Sequence, residues 1–553
     1  MCAAAGRRKN LDLQGDRKVK RQIRSMRGKL TCLGFVLGWI AFAVSGHSAE
    51  EEPAGKAQLQ ESLLWGDRWL VRDVTDYQRL SLGQCIRVAL VNNLDIRSQR
   101  DALRSAEQDL RSARNFFDLK GTFSAEHRQD VYTPSVETGS VVVYDPVLQQ
   151  YVTTAARTAV IDDDVTTLSL PVTQHIKTGG SITASPYLQE SDYQRNQWAS
   201  GINLGIRQPL LDGFGYDVST ADLRRTRLGL RRSEQSLDGA ARVLVVQVVQ
   251  DYYGILRTQK ILEEQQEALQ RAQSLLRAAQ IRKEEGEVAE LDVLRAELQV
   301  AQSENALIAT RNTLRSRLTG FQLRLGVSPQ QAVGIQAKEV EFEPTELHFD
   351  QLVDFALRHR HDLKNQELSL EQSRISLLTA KNRNLPNLDL TASYRFYDSH
   401  DDLDKVWDVD QGSVSLGVIF SMPLGDVSDD VLLQKARIGV DQAESALESL
   451  RREVISDIDN AVRQIETLEN QIEVLQKNVE IAQEGFRLSQ LSYEVGGLIS
   501  SFDLAKAQED LTSARTTYIA ALIDYQIALA QLDLARGLDL VSLIEARAGT
   551  PLQ

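Results

Sequence analysis

Few residues in this chain of 553 are spaced for chemistry. His359 and His361 stand two apart, so on a helix their rings diverge and make a poor metal pair. No P-loop, HExxH, GxSxG or CxxC pattern occurs. Cys85 sits among apolar neighbours on a helical stretch and reads as packing rather than as a nucleophile. What does cluster is carboxylate. Glu284, Glu285, Glu287, Glu290 and Asp292 crowd one turn around Gly286, and Asp503 closes a second turn, 494–503, that contains Gly496, Gly497 and Leu498. No catalytic constellation accompanies them. Gathered around an axis by copies of the chain, they would repel anions and attract cations. The plainer alternative is a solvated acidic face. The expectation is therefore a protein that is not an enzyme and needs no cofactor or metal.

Both turns belong to a duplicated unit, and the duplication says what positions them. Residues 80–96 overlay 347–363 at a constant shift of about 267, placing Ala89-Leu90 on Ala356-Leu357 and Asp95 on Asp362. A second shift of about 211 places Gly286 on Gly497, Asp292 on Asp503, Ala296 on Ala507 and Gly326 on Gly537. Each unit reads as a helical stretch (82–117; 349–383), strands, a very long helix (218–285; 427–493) and a returning helix (289–325; 501–536). On the second long helix Leu447, Leu450, Val454, Ile458, Ala461, Ile465, Leu468, Ile472, Leu475, Val479, Ala482 and Phe486 step by threes and fours, a coiled-coil seam. At 1.5 Å per residue such a helix is a rod of about 100 Å. The two shorter helices of each unit add up to one long one, so they can stack end to end beside it.

Strand-like alternation covers 121–130, 166–176, 179–188, 198–208, 387–397 and 413–422, with weaker strand potential near 141–152. In 413–422 Val414, Leu416, Val418, Phe420 and Met422 alternate with Ser413, Ser415, Gly417 and Ser421; only Ile419 breaks the pattern. One apolar and one small polar face over about ten residues marks a transmembrane strand with a wet lumen. Open sheet edges have no partners in hydrocarbon, so such a barrel must close. Four to six strands per chain are too few for one chain to close it, and an oligomer follows.

The ends read differently. Arg17, Lys18, Lys20, Arg21, Arg24, Arg27 and Lys29 precede an apolar run over 30–44 and a small-residue segment, the order of a secretory signal in residues 1–49, with Met26 a candidate internal start. A polar lead (50–79), first repeat (80–326), connector (327–346), second repeat (347–537) and tail (538–553) complete the expected division. Residues 1–49 hold ten of the 63 basic and two of the 77 acidic residues; without them the chain carries 53 and 75, a net charge of −22. Nucleic-acid binding is thereby excluded, since it needs a basic face.

The leader, the duplicated halves and the strand and helix order, with the junctions IRQPLLDGFG (206–215) and FSMPLGD (420–426) and the turn LSYEVGGLISSFDLAKAQEDL (491–511), resemble the TolC-type outer-membrane efflux family over residues 80–540. The resemblance implies an all-α plus β-barrel fold: a homotrimer whose 12-stranded transmembrane barrel continues into a periplasmic α-helical coiled-coil tunnel. It also implies outer-membrane lipid around the barrel, a periplasmic adaptor protein and an inner-membrane transporter as partners, and export through tripartite efflux or type I secretion. Asp503 and its counterpart Asp292 match the acidic ring that narrows the family's periplasmic mouth. Where a second Asp can follow, this chain has Lys506 and Arg295, so Asp–Lys and Asp–Arg pairs are expected. Gly286, Gly496, Gly497 and Leu498 fall at the tips where adaptors dock. The pair of strands 166–176 and 179–188 exceeds the family pattern, leaving four or six strands per chain. The alternative from another class is a periplasmic coiled-coil scaffold with a small soluble β-domain.

Overall fold

Two long helices set the dimensions of the molecule: Ala221–Glu284 (α4, 64 residues) and Ser428–Glu494 (α8, 67 residues), the longer about 100 Å from end to end. The structure is a computed structural model that describes residues 79–539, apart from 133–140, 146–148, 155–160, 192–196, 287, 330–332, 337–341, 404, 405, 407–410 and 496–499. The expected leader, most of the polar lead and all but two residues of the tail lie outside the described residues.

Beside α4 run Leu82–Asn92 (α1), Leu94–Asn115 (α2) and Glu290–Arg324 (α5), whose 11, 22 and 35 residues together match its length. Beside α8 run Phe349–His359 (α6), His361–Arg383 (α7) and Ser501–Ala535 (α9), of 11, 23 and 35 residues. A four-residue helix, Tyr216–Ser219 (α3), precedes α4. The expected single helices 82–117 and 349–383 are each broken once, at Asn93 and Arg360, with nearly the same backbone (φ −63°, ψ 131° and φ −62°, ψ 129°). Side chains compensate the interruption. Asn93 Oδ1 accepts from the amides of Asp95 (2.8 Å) and Ile96 (3.2 Å), and its Nδ2 donates to the Arg324 carbonyl. Arg360 donates to Asp362 (2.7 Å), Asp457 (2.8 Å) and the Ala535 carbonyl (3.4 Å). Each break thus docks on the end of its unit's returning helix, where Gly326 (φ +70°) and Gly537 (φ +75°) let the chain turn.

The seam expected on α8 holds the second half together. Leu447, Val454, Ile458, Ile465, Leu468 and Ile472 are buried against Leu363 and Leu370 of α7 and Ala521, Tyr525, Ala528 and Leu532 of α9. Leu450, Ala461 and Leu475 pack at its rim. On α4 the segment from Ala241 to Leu256 is buried almost all round, because α1, α2, α5, α7 and α9 all contact this helix. Polar bonds join α4 to α9 along their length: Arg257 to Asp524 (3.1 Å), Gln508 to the Ala268 carbonyl (3.2 Å) and Arg271 to Thr512 (3.2 Å).

At one end the chain forms an antiparallel sheet. Its strands are Lys120–Gly121 (β1), Ser124–Tyr132 (β2), Ile161–Ser169 (β5), Val172–His175 (β6), Ser181–Ser191 (β7), Gln197–Pro209 (β8), Asn387–His400 (β9) and Gln411–Ser421 (β10); Val141–Asp145 (β3) and Gln150–Thr154 (β4) form a separate hairpin. The expected strand 166–176 is interrupted at Leu170-Pro171. A proline cannot donate to the ladder, and the break faces Pro186 of β7, whose carbonyl accepts from Leu170 N. β1 with β2, and β5 with β6, are thus single interrupted strands. The sheet runs β1/β2, β5/β6, β7, β8, β9, β10, six strands in chain order.

Residues directly opposite in a ladder share a face. Leu390, Ala392 and Tyr394 oppose Val418, Leu416 and Val414; Ile202, Leu204 and Ile206 oppose Phe396, Tyr394 and Ala392. One face is therefore apolar. The other carries Thr183, Asn203, Thr391, Ser393, Arg395 and Ser415, tied by Arg395 Nε to Asn203 (2.9 Å) and by an Arg207–Asp389 ion pair (2.5 Å). No described helix is long and apolar enough to cross a membrane.

Candidate functional site

The helix turns farthest from the sheet bring the singled-out residues together in part. At the first turn α4 ends at Glu284, Glu285 is its C-cap, and Gly286 adopts φ +78°, a conformation that favours glycine. Arg282 and Lys283 in the last turn of α4 suit the negative end of its dipole. Lys283 reaches across the turn to Glu290 at 2.8 Å, so one of the crowded carboxylates is neutralised locally. Glu284 and Glu285 are exposed. Glu287 lies outside the described residues, as do Gly496, Gly497 and Leu498.

Asp292 and Asp503 occupy the same position, the third residue of α5 and of α9. Their surroundings differ. Asp503 forms a capping box with Ser500: its carboxylate accepts from Ser500 N (3.1 Å) and Oγ (2.7 Å), and Ser500 Oγ accepts from Asp503 N (3.2 Å). Those bonds from the Ser500 side chain and backbone hold its carboxyl below the ordinary carboxylate range. The expected Asp503–Lys506 pair does not form. Lys506 turns toward Asp510 (3.0 Å) and Glu509 (3.3 Å), one turn further along the helix, and both raise its pKa. The geometry explains the exchange: Asp503 is held back over the helix start, while positions three and four residues on are the natural reach of a lysine.

The expected Asp292–Arg295 pair is present at 3.7 Å. Asp292 also accepts from Ser501 Oγ at 3.2 Å, linking the start of α5 to the start of α9. Ser501 is buried, and Leu275, Tyr493 and Leu504 pack beneath this contact. Arg295 lies 5.7 Å from the Phe502 ring, and Arg282 lies 4.2 Å from the Tyr493 ring while donating to the Tyr493 carbonyl at 2.7 Å. The two tips are therefore clasped by Asp292–Ser501 and by two arginines on aromatic rings. Ser501, Arg282 and the two aromatics had escaped the sequence reading. Tyr493 lies one heptad beyond Phe486, but the other three carry no periodic signal, and the contacts form only when α4 and α5 are brought beside α8 and α9.

A second missed feature flanks the tips. On α8 Val474, Ile481 and Leu488 are exposed, with Val495 just past its end, at strict intervals of seven; on α5 Leu291, Leu294, Leu298 and Ile308 are exposed. Neither set belongs to the buried seams. Toward the tips the helices neighbour one another in the order α5, α4, α9, α8, so the two apolar stripes lie on the outermost helices.

The remaining candidates carry no site. Cys85 is fully buried and its thiol is pushed up to about 12 by burial. His359 stacks on Phe355 at a 4.1 Å ring separation and donates from Nδ1 to its carbonyl, while His361 packs against Gly239 of α4. Among the described residues no cluster of three or more metal-ligating side chains occurs.

Long paired helices in two duplicated halves, ending in a sheet with one apolar face, define the class of outer-membrane export channels. The family model for outer membrane efflux proteins matches residues 167–327 and 352–538, and the chain belongs to that family. Its members are channels, not enzymes. Among solved structures the fold is shared with the outer membrane protein VceC of Vibrio cholerae (16% identity, TM-score 0.63, 82% of this chain and 96% of that one). It is also shared with the CmeC outer membrane channel of Campylobacter jejuni (14% identity, TM-score 0.63, 84% and 89%) and with the open MtrE outer membrane channel of Neisseria gonorrhoeae (16% identity, TM-score 0.59, 83% and 89%). No curated protein matches the sequence.

Proposed function

We propose that this chain is the outer-membrane duct of a tripartite efflux or type I secretion system. Three copies close a transmembrane barrel that continues into a periplasmic helical tunnel, an adaptor protein docks at the tips, and an inner-membrane transporter supplies the energy. The two repeats, 80–326 and 347–537, are its paired staves, delivered by the leader in 1–49.

The observation that carries this reading is that both lateral edges of the chain are unsatisfied in complementary ways. Among the described residues β10 pairs only with β9 and β2 only with β5, so each leaves an open ladder edge. On the same two sides α8 and α5 present their exposed apolar stripes. An open edge in hydrocarbon and an apolar stripe at coiled-coil spacing both call for a partner. A second copy supplies the matching edge each time.

At the tips Asp292, Asp503, Glu284, Glu285, Glu287 and Glu290 would form acidic rings around the axis, moderated at Asp292 by Arg295 and at Glu290 by Lys283, and favour cations. Gly286, Gly496, Gly497 and Leu498 would form the adaptor-docking surface. The test is fractionation with detergent extraction and chemical cross-linking, followed by planar-bilayer conductance. A detergent-dependent oligomer of three copies that conducts, and loses cation preference in the doubly substituted Asp292→Ala, Asp503→Ala variant, is expected. A water-soluble mature protein would instead support the scaffold alternative.

A further inference from the structure

We propose that the additional strand pair, β5/β6 with β7, lies in the barrel wall, so that three copies build an eighteen-stranded barrel rather than the twelve-stranded one that the resemblance implies. The proposal rests on the channel reading above.

Two observations carry it. The first is continuity. β5/β6 and β7 are hydrogen-bonded into the middle of the sheet, between β1/β2 and β8, and not along an outer edge or in a second layer. A hairpin projecting away would leave β1/β2 to pair with β8, and it pairs with β5/β6 instead.

The second is facial chemistry. Ile182, Ala184 and Pro186 of β7 stand opposite Ile206, Leu204 and Ile202 of β8, so they share the apolar face. Leu168 opposes Leu188, and Val172 opposes Ala184, which carries that face one strand further. On the opposite face the same two strands carry Thr167, Ser169, Thr173, Thr183, Ser185 and Gln189 together with Val165 and Tyr187, while Gln174, Thr166 and Glu190 interrupt the apolar face toward its two ends. Strands outside a barrel, in water, would have no reason to keep the wall's division into lipid and lumen faces.

The experiment places a tryptophan on β7 and asks what surrounds it. Ala184→Trp and Leu188→Trp, each with Leu416→Trp on β10 as reference, are reconstituted in vesicles of ordinary phosphatidylcholine and of phosphatidylcholine with brominated acyl chains. The fluorescence of the unsubstituted protein is subtracted. The proposal expects the β7 probes to lose as much of their signal to bromine as the Leu416 probe. Loss at 416 with none at 184 and 188 would overturn it while leaving the channel reading intact. No loss at any of the three would overturn both. Electron cryomicroscopy of the unsubstituted, detergent-extracted complex counts the strands without a substitution: six per copy in the wall supports the proposal, four overturns it.

Discussion

Ile481→Glu is the sharpest test of ring closure. In the single chain Ile481 is 70% exposed, and it shares its stripe with Val474 and Leu488. Burying an isoleucine fully is worth about 1.5–3 kcal/mol, so covering the exposed share is worth about 1–2 kcal/mol per seam. A glutamate there forfeits this term and brings a carboxylate into an apolar contact, which costs further unless it is paired or protonated. A combined loss of about 3 kcal/mol per seam weakens each contact on the order of 100-fold. A copy leaving a closed ring breaks two seams, so the effect compounds. Sedimentation of the detergent-extracted protein over a dilution series reads it, with far-ultraviolet circular dichroism to show that the chain still folds. Ile465→Ala is the control with the opposite signature: Ile465 is fully buried inside the second stave, and its truncation costs the chain's own fold about 2–5 kcal/mol. An Ile481→Glu variant that holds the parent oligomer through the same dilutions would refute the seam.

The tip clasp is open to a double-mutant cycle: Asp292→Ala and Ser501→Ala each remove a hydrogen bond to a charged group worth about 1.5–3 kcal/mol, so each should raise the conducting fraction in planar bilayers and the pair should add little more. Additive effects would show that Asp292 and Ser501 do not act as one link. At the helix breaks, a Cβ on Gly326 would stand 2.3 Å from the Asn92 carbonyl oxygen and one on Gly537 2.9 Å from Arg360 N. Both residues have positive φ, so alanine costs about 1–2 kcal/mol at either, and the closer clash makes Gly326→Ala the larger drop in melting temperature; the reverse order would contradict the packing described. Burial lowers the pKa of His361 from its ordinary 6.5, outweighing the pull of Asp362 and Asp238. The neutral ring therefore contributes fully above pH 6.5, and stability falls as pH drops through that value toward the lower folded pKa. Melting curves across that range should show a slope that His361→Gln flattens, and an unchanged slope would assign it to other groups.

What was legible in the sequence was periodic. The ends of α4, α5, α8 and α9 fall within a few residues of the expected spans, because step-three-and-four spacing and few prolines leave a long helix little alternative. The breaks at Asn93 and Arg360 were not legible, since neither is a proline or glycine. Each depends on the carbonyl of a residue far along the chain, Arg324 or Ala535. Asp503 and Lys506 were legible as charges but not as partners, because capping geometry claims the aspartate before the lysine can.

The stripe on α8 shows a subtler limit. Val474, Ile481 and Leu488 are as regular as Ile472, Leu475 and Val479, yet a helix with one partner needs one stripe, and the denser seam takes that assignment. A stave of a ring needs two, one for the helices of its own chain and one for its neighbour. The second stripe, like the open edge of β10, fits the proposed ring of copies and would link the tips to the proposed barrel. If the apolar edges of α5 and α8 meet between copies, the clasp from Asp292 to Ser501 lies between two such seams. Loosening it would let the two tips of one chain part while the seams between copies stay closed, so opening need not cost the proposed ring its integrity.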